Sequence, residues 1–151
     1  MTNAINIDQI IEEASQRFSN YLKQNNNRKT QERFAILEEI YRNQDHFDAD
    51  TLYIQMKKSA YRVSRATIYN TLEVLLDCGL IKKHHFGDNI SFYEKTCGFP
   101  RHHHLVCTKC GEIEEFVDEQ IIQLAEHHSR SGSFLLNDLS LNLYGLCERC
   151  T

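Results

Sequence analysis

Histidine and cysteine, both able to hold metal, crowd together in residues 101–111, RHHHLVCTKCG. Cys107-x2-Cys110 is answered by Cys147-x2-Cys150, with 36 residues between the pairs. Two-residue spacing lets both thiolates of a knuckle face one ion, and two knuckles close the tetrahedral four-sulfur site that suits structural zinc. Such a site has no open coordination position, so it staples a small domain and does not catalyse. The competing readings are a pair of disulfides or a redox Cys-x2-Cys. Against the redox reading, both knuckles lie beside predicted strands and neither opens a helix N-terminus, where a low-pKa thiolate usually sits.

The histidines sort by strand alternation. His102 and His104 share one face and His103 takes the other. On the next strand Glu115 falls between Ile113 and Val117, and a carboxylate unpaired among apolar neighbours is costly. His102, His104 and Glu115 thus form a candidate cluster of two nitrogens and an oxygen, separate from the thiolates. The competing reading is a histidine-rich surface loop. His127 and His128, on a predicted helix, are weaker candidates.

The elements that must position these groups can be read from periodicity. Residues 5–22 place Ile7, Ile10, Ile11, Ala14, Phe18, Tyr21 and Leu22 on one helical stripe, which the polar run QNNNRK ends. Thr30 starts a second helix, apolar at Phe34, Leu37, Ile40 and Tyr41. Asp48 caps a third through about Lys58, and Ser64 caps a fourth that Gly79 closes. LIKKHHF and NISFYE then predict two strands around a Gly87-Asp88-Asn89 turn. Helices followed by a hairpin describe a winged helix-turn-helix. On its fourth helix Ile68, Leu72, Leu75 and Leu76 face inward, leaving Arg65, Tyr69, Asn70 and Glu73 outward. Arg and Asn can read base edges in the major groove, and a tyrosine ring can meet a thymine methyl. A merely solvated helix face is the competing reading.

Beyond Glu94 the pattern changes to short strands, HLVC and EIEEFV, a helix over DEQIIQLAEHHSR, and a longer alternating strand over LLNDLSLNLYG. The expected fold is therefore α+β: a winged-helix domain over 1–93, a hinge over 94–100, and a second small α+β domain over 101–151. At 151 residues, 41% hydrophobic and 25% charged, the chain is an ordinary globular protein with enough length for a real core. No apolar run nears the roughly 18–20 residues that cross a bilayer, and no charged leader precedes an apolar core. The expected location is the cytoplasm, with no membrane partner. In that reducing compartment, paired cysteines bind metal more often than they cross-link. The net charge of −4 hides a local asymmetry. Residues 57–85 carry Lys57, Lys58, Arg62, Arg65, Lys82 and Lys83 against Glu73 and Asp77, and phosphates respond to local potential.

The motifs ATIYNTLEVL, LLDCGLI, HFDADTLY, HHHLVCTKCGEIEEF and LNLYGLCERC together resemble the ferric uptake regulator family of bacterial metal-dependent repressors, over roughly residues 25–150. The resemblance implies a homodimer, with the second domain as dimerisation domain, acting on double-stranded, A/T-rich palindromic operator DNA. It implies structural Zn(II) on the four cysteines. It also implies a regulatory ion, expected to be Fe(II) with Zn(II) or Mn(II) as alternatives, on His46, Glu94, His102, His104 and Glu115. On the DNA side it implies Tyr69, a phosphate contact near Arg33, and Arg28 or Lys29 in the minor groove. This chain departs from the family pattern at Asn70, often Arg there, and at Arg101 and Leu139, which leaves a further metal site of some members without ligands. Zinc-sensing members place a cysteine shortly before the histidines, and Cys97 stands five residues before His102. Peroxide-sensing members use aspartates where Glu94 and Glu115 stand. Two other classes compete with a repressor: a redox or hydrolytic zinc enzyme, for which no nucleophile–base pair or phosphate loop is evident, and a metal store without DNA function.

Overall fold

The computed structural model describes residues 6–43, 46–86 and 91–151. It divides into two compact units, one ending at Phe99 and the other beginning at Pro100. The predicted Gly87-Asp88-Asn89 turn lies outside the described residues.

In the first unit, α1 (Ile7–Gln24) starts where the Asn6 side chain accepts the Asp8 N–H, and it buries Ile10, Ile11, Ala14, Phe18 and Leu22. Helix α2 (Gln31–Asn43) opens on Thr30, whose hydroxyl accepts the Arg33 N–H at 3.4 Å. It sinks Ile36, Leu37, Ile40 and Tyr41 into the same core. Asp48 caps α3 (Ala49–Met56) by accepting the Thr51 N–H at 2.7 Å, and Ser64 caps α4 (Arg65–Asp77) by accepting that of Thr67. Helix α4 stops at Gly79, whose φ of +71° lets the Leu80 N–H turn back to the Leu75 carbonyl and the Gly79 N–H to that of Leu76. Leu76, expected to face inward, is only half-buried; fully buried Thr71 takes its share of the inner face.

Strands β2 (Ile81–His85) and β3 (Ser91–Lys95) pair antiparallel, from Ile81 opposite Lys95 to His85 opposite Ser91. A two-residue strand β1 (His46–Phe47) pairs with the other side of β3, so β3 is central. Periodicity gives no sign of β1, because two residues have no period and only the neighbouring strand defines them. One side chain ties the helices to this sheet. The Tyr41 hydroxyl donates to the Leu80 carbonyl at 2.6 Å and accepts the Cys97 N–H at 3.2 Å, while the Tyr41 carbonyl accepts Lys95 Nζ at 3.2 Å. The segment after β3 packs down as well: Gly98, at φ +77°, lies so close to Ile10 that a Cβ would meet its side chain at 2.6 Å.

In the second unit β4 (His103–Cys107) lies between antiparallel β5 (Ile113–Phe116) and parallel β6 (Asn142–Gly145). Helix α5 (Glu119–Ser131), capped by Asp118, buries no residue fully. The long strand predicted over 135–145 shortens to β6. Residues 135–141 alternate in sequence, but the parallel register with β4 begins only at Asn142, opposite His104, whose N–H donates to the Leu141 carbonyl at 3.1 Å, and residues 135–140 lie outside that ladder. Leu135 is 83% exposed as a result. Among the described apolar residues of this unit only Val106 and Cys107 are buried. Among the described residues no helix is long and apolar enough to cross a membrane.

Candidate metal centres and nucleic-acid interface

The two knuckles meet because β6 runs alongside β4, setting Gly145 opposite Cys107. One sulfur from each of Cys107, Cys110, Cys147 and Cys150 lies within 4.8 Å of all the others, and Cys110 Sγ is 3.6 Å from Cys147 Sγ. A tetrahedron with Zn–S bonds of about 2.3 Å has sulfur–sulfur edges of about 3.8 Å, and the four sulfurs are gathered closely enough for one such ion to draw them together. All four are free of disulfides. The backbone already favours thiolate at Cys107: N–H groups of Cys110 and Cys147 aim at its sulfur and lower the thiol to about 6. Cys150 is pushed up to about 12, first by its hydrogen bond with Cys147 and then by burial. Beside the knuckles Arg149 pairs with Glu112 at 2.8 Å and holds that carboxyl below its usual range.

Imidazole and carboxylate donors gather in each unit separately. In the first, β1 and β3 place His46 directly opposite Glu94, with His46 Nε2 3.2 Å from Glu94 Oε2. The other oxygen, Oε1, is 2.8 Å from Nε2 of His84 on β2. In the second, β4 and β5 place His104 opposite Glu115, and His102 Nε2 lies 3.7 Å from Glu115 Oε1. His102, His104 and Glu115 each offer a donor atom within 4.8 Å of the other two. The Nδ1 atoms are anchored: that of His102 is 3.2 Å from the Pro100 carbonyl, that of His104 3.1 Å from Asn142 Oδ1. His103 turns the opposite way, fully buried against the Phe116 ring at 5.3 Å. One expectation needs correcting. Val117 is 59% exposed and Glu115 is exposed too, so no apolar burial compels Glu115 towards a cation. Strand β5 is an edge, and the histidines across from Glu115 place it.

Cys97 lies elsewhere. It is buried in the first unit against α1, where its thiol interacts with Glu13 and Arg17, and burial pushes it up. His84 is the residue that sequence reading overlooked. Once β2 and β3 are paired, the alternation of two puts it on the face of Glu94, so the signal existed only in the register.

The surface expected to meet DNA belongs to the first unit. Tyr69 is 48% exposed on α4 and Asn70 stands beside it, also exposed. Arg65, the first residue of α4, is engaged by Asp50 of α3, and its guanidinium lies 4.4 Å from the Tyr53 ring centre. Lys57 Nζ covers the same ring at 4.8 Å. Ahead of α2, Lys29 Nζ donates to Ser19 Oγ at 2.6 Å and Arg33 Nη1 to the Arg28 carbonyl at 3.2 Å. Tyr69, Asn70 and Arg65 thus lie on one helix, while Arg28, Lys29 and Arg33 cluster at the start of α2.

A winged helix joined to a thiolate-knuckle α+β unit, with metal-binding donors in both, defines a class of metal-linked DNA-binding regulators rather than enzymes. Residues 24–144 match the model of the ferric uptake regulator family. The chain is 33% identical over 124 residues to the ferric uptake regulation protein of Bacillus subtilis (strain 168), covering 80% of this chain and 83% of that protein. It is 32% identical over 129 residues to the peroxide-responsive repressor PerR of Staphylococcus saprophyticus, covering 85% and 86%. The crystal structure of the Vibrio cholerae ferric uptake regulator superposes with a TM-score of 0.66 at 33% identity, covering 83% of this chain and 96% of that one. The protein belongs to the ferric uptake regulator family of metal-responsive transcription regulators.

Proposed function

We propose that this protein is a cytoplasmic, homodimeric, Fe(II)-responsive repressor of iron-uptake genes, binding A/T-rich palindromic operators through α4 and the start of α2. The four cysteines hold structural Zn(II). His46 and Glu94 of the first unit, with His102, His104 and Glu115 of the second, hold the regulatory ion. One observation carries the choice of iron: the candidate sensor donors are nitrogen and oxygen only, while Cys97, the cysteine a zinc sensor of this family would use, is buried against α1. Imidazole and carboxylate suit Fe(II), Mn(II) and Zn(II) by geometry, whereas a thiolate would favour zinc. Glutamates at 94 and 115 weigh against the peroxide-sensing reading.

Bound, the ion supplies a cross-link between ligands on both sides of the hinge. The residues do the rest. His46 and Glu94 come from strands that also anchor the wing, so loading the site favours one spacing of the two recognition helices in the dimer. Turning a mostly incompetent population into a mostly competent one needs about 5 kcal/mol of differential affinity, within reach of several ligands to one divalent ion. Leu124, Leu143, Tyr144 and Leu146, all exposed on the second unit, support a face buried by a second copy.

The test is anaerobic. Protein holding only its tightly bound zinc is titrated with Fe(II), Mn(II) and Zn(II) at buffered free concentrations, and operator binding is followed. Activation by Fe(II) in the micromolar range, reversed by chelation, is expected. Activation by zinc alone would transfer the protein to zinc regulation. Loss of DNA binding on brief peroxide treatment of the Fe(II) form would transfer it to peroxide regulation.

A further inference from the structure

Glu94 is a buried carboxylate, 6% exposed, with a histidine on each oxygen: His46 at Oε2 and His84 at Oε1. We propose that His84 is a positioning residue for the metal sensor, gripping Oε1 so that Glu94 presents Oε2, beside His46, as its single donor oxygen. This rests on the sensor reading above.

The sheet explains how His84 can do this. Lys82 stands directly opposite Glu94 and His84 opposite Phe92, so His84 reaches Glu94 along the diagonal, on the same face. Its ring is stacked on Phe86, with centroids 5.3 Å apart and planes 7° off parallel. Phe86 also meets the His46 ring edge-on at 6.3 Å. One aromatic side chain therefore fixes both imidazoles that flank the carboxylate. At 7% exposure His84 has no space to swing away.

A carboxylate can give a metal one oxygen or two. The choice sets coordination number, and coordination number discriminates among divalent ions more finely than ligand type does. Oε1 stands at ion-pair distance, 2.8 Å, from the His84 nitrogen, although the pair is not aligned as a hydrogen bond, and a two-oxygen grip would have to displace that neighbour. Groups that orient a metal ligand in this way typically change metal affinity by about 10–100-fold when removed. The competing explanation is that His84 is simply part of the wing's packing.

The experiment uses the full chain with its thiolate zinc in place and the sensor emptied by a mild chelator. Co(II) is titrated into the wild type, His84→Ala and His84→Gln, and the visible ligand-field bands are recorded alongside thermal unfolding of the cobalt-free forms. His84→Ala should bind Co(II) about 10–100-fold more weakly, with weaker bands as Glu94 becomes free to chelate through both oxygens. His84→Gln, whose amide can still donate to Oε1, should recover most of the affinity and the wild-type band shape. Unchanged affinity and bands in His84→Ala would overturn the proposal while leaving the sensor intact. So would weaker binding in both variants with wild-type bands and matching losses of thermal stability, since packing alone would then account for them. Failure of the wild type to take up exchangeable Co(II) would remove the sensor reading, and this one with it.

Discussion

Arg65 stands at the first position of α4, the helix proposed to meet DNA, but its guanidinium is already engaged by Asp50 and rests on the Tyr53 ring. On that proposal, phosphates approaching α4 would meet an arginine already paired with a carboxylate. Removing that carboxylate should help them. Asp50→Asn is expected to tighten operator binding by about 2–5-fold at low salt, an advantage that shrinks as salt screens it, with metal content unchanged. Fluorescence anisotropy across a salt series reads this directly; unchanged or weaker binding would mean the Asp50 contact belongs to the DNA-competent form. The helical period alone puts Arg65 and Tyr69 on an outer face. It says nothing of Asp50, because a charge pair between two helices depends on how they pack. The four cysteines are legible for the opposite reason: a knuckle is local, and its two-residue spacing is itself the geometry. His84 is illegible until the hairpin register is known.

At the scale of elements, Tyr41 pins the last turn of α2 to the roots of both wing strands, through the Leu80 carbonyl and the Cys97 N–H. Burial is the largest influence on its phenol and raises it from 10.0 to about 12. An unfolded tyrosine ionises first, so stability from keeping this phenol neutral is intact below pH 10.0 and is lost as pH climbs through about 12. Tyr41→Phe should cost about 1–2 kcal/mol at neutral pH, from the lost hydrogen bonds. It should also flatten part of the alkaline fall. Tyr93, whose phenol burial raises as well, keeps some of that fall in place. Urea unfolding at neutral pH and across the alkaline range measures both effects, and an unchanged alkaline profile would count against Tyr41 as its source. Helix starts at Asp48 and Ser64 are readable from sequence because a cap is a local hydrogen bond. Strand ends are not. Residues 135–141 have the alternation of a strand, yet a strand exists only where a neighbour runs alongside it, and β4 meets this segment only from the Leu141 carbonyl onward.

At the scale of the whole molecule, the two units are held together by different means. The first has a continuous core from α1 to β3, including Phe18, Ile36, Tyr41, Leu72 and Tyr93. The second buries little apolar surface, and α5 contributes no fully buried side chain. Structural zinc in small domains contributes on the order of 10–16 kcal/mol, as much as the whole stability of a typical domain, about 5–15 kcal/mol. Cys110→Ser, or a strong chelator, should therefore remove one zinc per chain and unfold the second unit while the winged helix keeps its own transition. Circular dichroism should retain most of its helical signal, since α1 to α4 lie in the first unit. A single transition unchanged from wild type would show that the thiolate site is dispensable for folding.

The separation of the two knuckles has a consequence for how the protein is made. The ribosome completes the winged helix, and then Cys107 and Cys110, well before Cys147 and Cys150 are translated. The first half of the thiolate site must wait, unpaired, through the 36 intervening residues. A nascent chain can thus own a finished winged helix before it has a finished second unit, and, with zinc on the four cysteines as proposed, the supply of that ion would decide how many chains pass from one condition to the other. A regulator that reports one metal would in this way be assembled only as fast as the ion for its cysteines allows.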